Sequence, residues 1–368
     1  MRRTMTVCNL ALLSGWLTVS GGVGSLHASS PRAHAESAAG SGQVDVAIAG
    51  SKGASGPSVA FDGAHIWVAN PFVGKTVTEI NASDGSFVKN LSGRSYNFYE
   101  PVGLAFDGSH IWVANAGYNT VTEINASDGS FVRNLSGASY NFSLPYALAF
   151  DGAHIWVTNR SNKTLTEINA SNGSFVRNLS GGPYNFYGPM ALAFDGAHIW
   201  AANSASSTVT EVNASNGSFV RNLSGGPYNF YGPTALAFDG SHIWVANSMN
   251  STVTEINATD GSFVRNLSGG SYNFSGLMTL AFDGSHIWVA NSVNNTVTEI
   301  NASDGSFVRN LSGSSYKFYG PLGLAFGSGH IWVANYNETV TEVNASDGAP
   351  VGNYPVGASP LVARYSRR

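Results

Sequence analysis

One tripeptide, His-Ile-Trp, returns seven times along the chain, at His65, His110, His154, His198, His242, His286 and His330. The first interval is 45 residues and the next five are 44 each. So strict a period leaves few options: each unit is one supersecondary element stacked on copies of itself. The unit that begins at Pro189 shows which element. Met190 to Phe194 is a short apolar run, Asp195-Gly196 a turn dipeptide, and His198 to Asn203 a second apolar run. A small polar loop, Ser204 to Ser207, leads to the alternating, β-branched Thr208 to Asn213. Asn216-Gly217 is another turn dipeptide, Phe219 to Leu223 a fourth run, and Ser224 to Gly232 a longer loop before Pro233. Asp-Gly and Asn-Gly between such runs signal hairpins, because primed turns need positive φ. The unit therefore reads as four short antiparallel strands, here called a to d.

A four-stranded sheet of this size cannot bury both faces alone. Stacking the sheets around a ring buries each face against a neighbour, with Trp, Ile, Val and Phe supplying the contact. The expected fold is all-β: a closed β-propeller of about seven four-stranded blades, with the His-Ile-Trp strand second from the axis. The expected divisions are a signal at 1–35, an N-terminal segment at 36–56, the repeats at 57–348, and a C-terminal strand and tail at 349–368. Two segments compete for the outer edge of the closing blade, Gln43 to Ala49 and Ala349 to Val356. The N-terminal one is expected to close the ring.

The first 35 residues have the layout of a secretory signal. Arg2 and Arg3 precede an apolar run from Leu10 to Val19, and small residues end in Ala33-His34-Ala35. The run is shorter than a membrane span needs. A secreted or cell-surface location is expected, with no membrane span in the mature chain. Cys8, the single cysteine, lies in the segment to be removed, so no disulfide or thiolate remains. Removal through Ala35 leaves 15 basic and 22 acidic residues, a balance unsuited to tracking nucleic-acid phosphates. A monomer is expected.

The unit GPxALAFDGxHIWVANSxxxTVTEINASDGSFVRNLSG resembles NHL-type and YVTN-type repeats. The resemblance runs from Pro57 to Gly348 and rests on the small-apolar-aromatic pattern of strand b, the Thr-Val start of strand c and the Gly turns. It places the chain among the streptogramin-lyase-like propellers. Such propellers host ligand binding, protein binding and catalysis, so the resemblance speaks to fold more than to function. The lyases among them use a His with acidic partners near the central channel. Here no His stands outside the repeat except His27 and His34, within the expected signal.

The ionisable residues follow the repeat. One His per blade, spread around a ring, does not converge as a metal site requires, and no metal or cofactor is expected. The Asp residues of the turns answer to turn chemistry. The Glu of strand c (Glu79, Glu123, Glu167, Glu211, Glu255, Glu299, Glu342) is expected to make a repeated contact between blades. Acid–base catalysis needs groups whose surroundings differ from those of their copies, and few residues here are unique to one blade. No catalytic residue is therefore assigned.

The d–a loops carry a repeated Tyr-Asn-Phe motif, as in Tyr96-Asn97-Phe98-Tyr99. The Phe is expected between blades; the Tyr residues either cap the loop or face a ligand. Nearly all differences between blades fall in the b–c and d–a loops, on one face of the ring. Candidate ligand-binding residues there are Tyr99, Tyr187, Tyr231 and Tyr319, with Arg94, Glu100, Arg160 and Lys163 making the face asymmetric. The leading expectation is a non-catalytic binding scaffold for a protein, peptide or carbohydrate. The alternatives are a lyase or hydrolase of the streptogramin-lyase-like class and a purely structural repeat protein. Export carries its own test: N-terminal sequencing of the secreted protein should give a first residue between Ser29 and Ala38, and a chain beginning at Met1 would refute it.

Overall fold

The computed structural model describes residues 58–72 and 74–357. The expected signal and Gln43 to Ala49 lie outside the described residues. Among the described residues, twenty-eight strands form seven separate four-stranded sheets, each taken from four consecutive strands. Blade 4 shows the plan: strand a is Pro189–Phe194, b is His198–Asn203, c is Thr208–Asn213 and d is Phe219–Leu223. The order within it is a-b-c-d and every pairing is antiparallel. Strands a of successive blades pack side by side around the axis, and strand a of blade 1 (Val59–Phe61) meets strand a of blade 7 (Pro321–Gly327). The protein is a closed seven-bladed β-propeller with the His-Ile-Trp strand second from the axis.

The two kinds of turn differ. In the a–b turn, Gly63 (φ 103°) is the first of two central residues, as a II′ turn requires. Asp62 Oδ1 holds that turn by accepting from the Ala64 and His65 amides at 2.8 and 2.6 Å. The c–d connection is longer. Asn81 pairs with Ser86 across a four-residue loop whose last residue, Gly85 (φ 69°), is left-handed. Its Asp-Gly dipeptide therefore ends a loop and does not form a two-residue hairpin.

Strands a, b and c are buried, and strand d is half-buried. Among the described residues, all seven Trp side chains are fully buried between blades. In blades 1 to 6 the indole N–H donates to the a–b turn Asp, as Trp200 does to Asp195 Oδ2 at 2.8 Å. A buried indole without that acceptor would cost about 1–3 kcal/mol. The motif sought for ligands begins as a clasp between blades. Tyr96 Oη donates to the Gly129 carbonyl of blade 2 at 2.7 Å, and its ring meets Phe131 edge-on and stacks on Phe98. The Thr122 hydroxyl donates to the Tyr96 carbonyl at 2.8 Å, and Asn134 Nδ2 to the Ser95 carbonyl at 2.8 Å. Equivalent Tyr-to-carbonyl bonds recur from Tyr140, Tyr184, Tyr228, Tyr272 and Tyr316.

The outer edge of blade 7, the place expected for Gln43 to Ala49, is filled by Pro350–Pro355 paired with Thr339–Asn344. This blade departs from the repeat twice. Gly327 replaces the turn Asp, and Trp332 Nε1 turns to the Gly327 carbonyl at 3.4 Å. Gly352 stands opposite Glu342, where other blades carry a cation. Tyr354 takes over that cation's role, donating to Glu342 Oε2 at 2.6 Å and lying 3.4 Å from the Asp84 carbonyl of blade 1. Burial and the Glu342 carboxylate raise the pKa of this phenol, so it keeps its proton at neutral pH. The seam is finished by the Gly357 amide, which donates to Thr78 Oγ1 at 3.1 Å.

Replacing Tyr354 by Phe keeps the ring and deletes the donor at the seam. The variant should lose about 1–3 kcal/mol in urea unfolding, and Tyr96→Phe, away from the seam, about 1 kcal/mol. A wild-type midpoint for Tyr354→Phe would refute the closing role.

Candidate functional site

The ring has two unlike faces. The turn face carries the a–b and c–d turns; the loop face carries the b–c and d–a loops.

On the turn face blades 1 to 6 repeat one polar chain. In blade 2, Asp107 Oδ2 accepts from Trp112 Nε1 at 2.7 Å and lies 3.2 Å from His110 Nδ1. His110 Nε2 lies 3.6 Å from Glu123 Oε1, and Arg133 Nε is 2.8 Å from Glu123 Oε2. The chain stays inside the blade, which corrects the expectation that the strand Glu spans two blades. The crossing is made by the cation: Arg133 and Arg177 donate from Nη1 to the Asn172 and Asn216 carbonyls of the next blade, and Lys89 Nζ to the Asp128 carbonyl at 2.6 Å. Among the described residues no group of three or more His, Cys, Asp or Glu is arranged to hold a metal ion. Shallow clefts of about 430 Å³ open between blades on this face, one lined by Asp62, His65, Phe106 and Asn125, another by Asp239, His242, Phe282 and Asn301.

The loop face carries no such chain. Tyr187, Tyr231 and Tyr319 are 48%, 55% and 57% exposed. Tyr99 is half-buried, stacked on Tyr118 with centroids 4.6 Å apart and capped by Lys75 Nζ at 3.6 Å. Lys163 Nζ sits 3.7 Å over Tyr187, and the Arg160 guanidinium 5.6 Å over the buried Tyr146 ring. The candidates thus divide. Tyr187 and Lys163 come together; Arg160 turns toward Tyr146 at the axis. Glu100 is half-buried with φ 50°, where Gly188, Gly232, Gly276 and Gly320 stand in later blades. Arg94 is exposed just past strand d, at the outer rim. The Asn of the motif has a backbone reason: Asn97 and its copies hold φ of 52–54°, a left-handed conformation that Asn tolerates well.

Two groups escaped the sequence reading. Phe72, Tyr118, Met249, Val293 and Tyr336 are exposed on the same loops, and Phe72 packs on Tyr336 with centroids 4.9 Å apart. Apolar residues in otherwise polar loops were the available signal. The second group fills the axis. Val102, Tyr146, Met190, Met278 and Leu322, one from the start of strand a in each of five blades, belong to a single buried cluster. Ser58 and Thr234 hold the same position and are buried too. Its signal was variation inside an otherwise constant strand.

Burial raises the pKa of Glu79, Glu123, Glu167, Glu211, Glu255 and Glu299 above the ordinary 4.5, against the lowering pull of the strand d cation and the His. Bonds from Ser86, Ser130, Ser262 and Ser306 hold Asp84, Asp128, Asp260 and Asp304 below their ordinary 3.8. The signs oppose. The Glu contribution to stability is full below the unfolded pKa and is lost as pH rises through the raised values; the Asp contribution is full above 3.8 and is lost as pH falls. The urea midpoint should therefore decline as pH rises from about 4.5, and Glu211→Gln should remove about one sixth of that decline. A midpoint that climbs through this range would refute the assignment.

Among solved structures, the chain is similar to the hydrazine synthase of Kuenenia stuttgartiensis at 17% identity and a TM-score of 0.66, covering 81% of this chain and 99% of that one. It is similar to a streptogramin B lyase at 16% identity and a TM-score of 0.61, covering 80% and 94%. It is also similar to virginiamycin B lyase from Staphylococcus aureus at 15% identity and a TM-score of 0.60, covering 80% and 96%. At these identities the likeness is one of fold, and it agrees with the propeller superfamily that the repeat resembles. No curated protein sequence matches the chain. A repeat family described as outer membrane protein assembly factor BamB matches residues 97–311, more than half of the chain, and the chain belongs to that family.

Proposed function

We propose that the protein is an exported, non-catalytic binding propeller that presents its loop face to a partner. The observation that carries this is the distribution of exposed aromatic surface. Tyr118, Tyr187, Tyr231, Tyr319 and Tyr336 are each about half exposed, and all stand on b–c or d–a loops. Tyr offers apolar area and a hydroxyl at low entropic cost, which suits recognition. Loops on a rigid scaffold are also where binding residues concentrate.

Acid–base chemistry at this face has less support. All seven His side chains of the described repeats open strand b on the turn face, away from the exposed tyrosines. At the axis, the residues that begin strand a are buried and mostly apolar, so they offer no titratable pair beside a ligand.

The test is a screen of the purified mature chain against immobilised glycans and peptides, followed by substitution. Tyr187→Ala with Tyr231→Ala should weaken any retained partner about tenfold or more, the loss of two interface aromatics. Asp260→Asn on the turn face should leave it unchanged. The opposite pattern, in a variant that still folds, would overturn the reading.

A further inference from the structure

The loop face is charged as well as aromatic, and its charge opposes that of the rest of the molecule. Its loops carry five cations, Lys75, Arg94, Arg160, Lys163 and Lys317, against two acids, Glu100 and Glu338. The turn face exposes five Asp carboxylates in its c–d turns, beside six in the a–b turns that are buried against Trp and His, and the strand d cations are committed to buried Glu. A chain that is acidic overall is thus strongly polarised across the ring.

The fold does not ask for cations at these places. Lys75 and Lys163 hold left-handed φ of 50° and 63°, where the equivalent residues are Asn119, Ser207, Ser251, Asn295 and Glu338. That conformation suits Asn better than Lys. Lys317 holds φ 55° where five copies of the motif carry Asn. Asn119 and Asn295 use their side chains to bind the next loop, at 2.7 Å to the Leu144 amide and 2.6 Å to the Gly320 amide. The lysines give up that bond. Lys75 and Lys163 instead rest on tyrosine rings at 3.6 and 3.7 Å, a seat for a cation that leaves its charge available.

We propose that the partner of the loop face is an acidic polysaccharide, held through Lys75, Lys163 and Lys317 beside Tyr187, Tyr231 and Tyr319. The proposal rests on the loop face being the binding face. Its cations meet carboxylate or sulfate groups, and its exposed rings meet the apolar faces of sugar rings. A repeating polymer also fits a Tyr that recurs in four of the six d–a connections. An acidic peptide fits less well, because an extended peptide gains most from a free strand edge and this face is built of loops. The acidic turn face repels a polyanion and so orients the encounter.

The probe is polygalacturonate, with neutral dextran and poly-glutamate alongside. Polygalacturonate should bind, and at least about tenfold more tightly than either comparison polymer. Raising salt from about 0.05 M to about 0.5 M should weaken it about tenfold or more. The triple variant Lys75→Asn, Lys163→Ser, Lys317→Asn installs residues that other blades already carry, and should also lose about tenfold. The quadruple variant Asp84→Asn, Asp128→Asn, Asp260→Asn, Asp304→Asn copies Asn172 and Asn216 and should change binding less than about twofold. The proposal falls if polygalacturonate is not retained, if poly-glutamate binds equally, if the triple variant binds normally, or if the quadruple variant gains as much as the triple variant loses. Dextran binding equally well, and lost in Tyr187→Ala with Tyr231→Ala, would sink the polyanion while leaving the loop face standing. Polymer binding that ignores both tyrosines would sink the loop face as well.

Discussion

The bond from the buried indole to a turn carboxylate, made in six of the seven blades, governs much of the architecture. Seven Trp side chains supply the largest apolar surfaces between blades, yet each brings an N–H into a dry core. An acceptor at the end of strand a resolves the conflict, and the same carboxylate ties down the a–b hairpin through two backbone amides. One Asp therefore links turn geometry, strand register and core burial. Its second oxygen also orients the His, which lies against the buried Glu, which is paired with the cation of strand d. A local turn preference thus becomes a brace across the blade.

Neighbouring blades are joined by a different device. The Tyr of each d–a loop reaches into the next blade with its ring, its hydroxyl and its backbone carbonyl. Every connection between blades is therefore also an interaction between them, so the loop face rests on rigid supports. At the seam no covalent connection exists, and Tyr354 makes by hydrogen bonding the contacts that a strand d cation makes elsewhere. The departures of blade 7 from the repeat fall where the ring must close without a linker.

The blade plan was legible because the repeat displays it seven times: strand order, blade number and the buried Phe of the loop all follow from spacing and polarity. The strand Glu was misread because sequence period does not reveal which neighbour a side chain meets, and a Glu opposite Arg on the adjacent strand reads the same as one facing the next blade. The tyrosines illustrate a finer limit. Tyr96 and Tyr99 stand three residues apart in one motif, yet the first clasps the next blade and the second stacks on Tyr118 of a b–c loop, with a left-handed Asn between them. Lys75 was visible as a residue unique to its blade, but its seat on Tyr99 depends on two blades meeting.

The axis cluster bears on how such a chain keeps its blade count. Long, near-identical tandem segments invite unequal exchange at the level of the gene, which adds or removes a whole unit at a stroke. Away from the seam the blades would accept a new copy, since they repeat the same contacts. The axis would not. Val102, Tyr146, Met190, Met278 and Leu322 share one buried cluster with side chains of graded size, and Ser58 and Thr234 are buried at the same position of their blades. A ring with one blade fewer would crowd these side chains, and a ring with one more would leave a void among them. The unlike residues at the centre act as a parity check on a sequence that would otherwise have no means of counting itself.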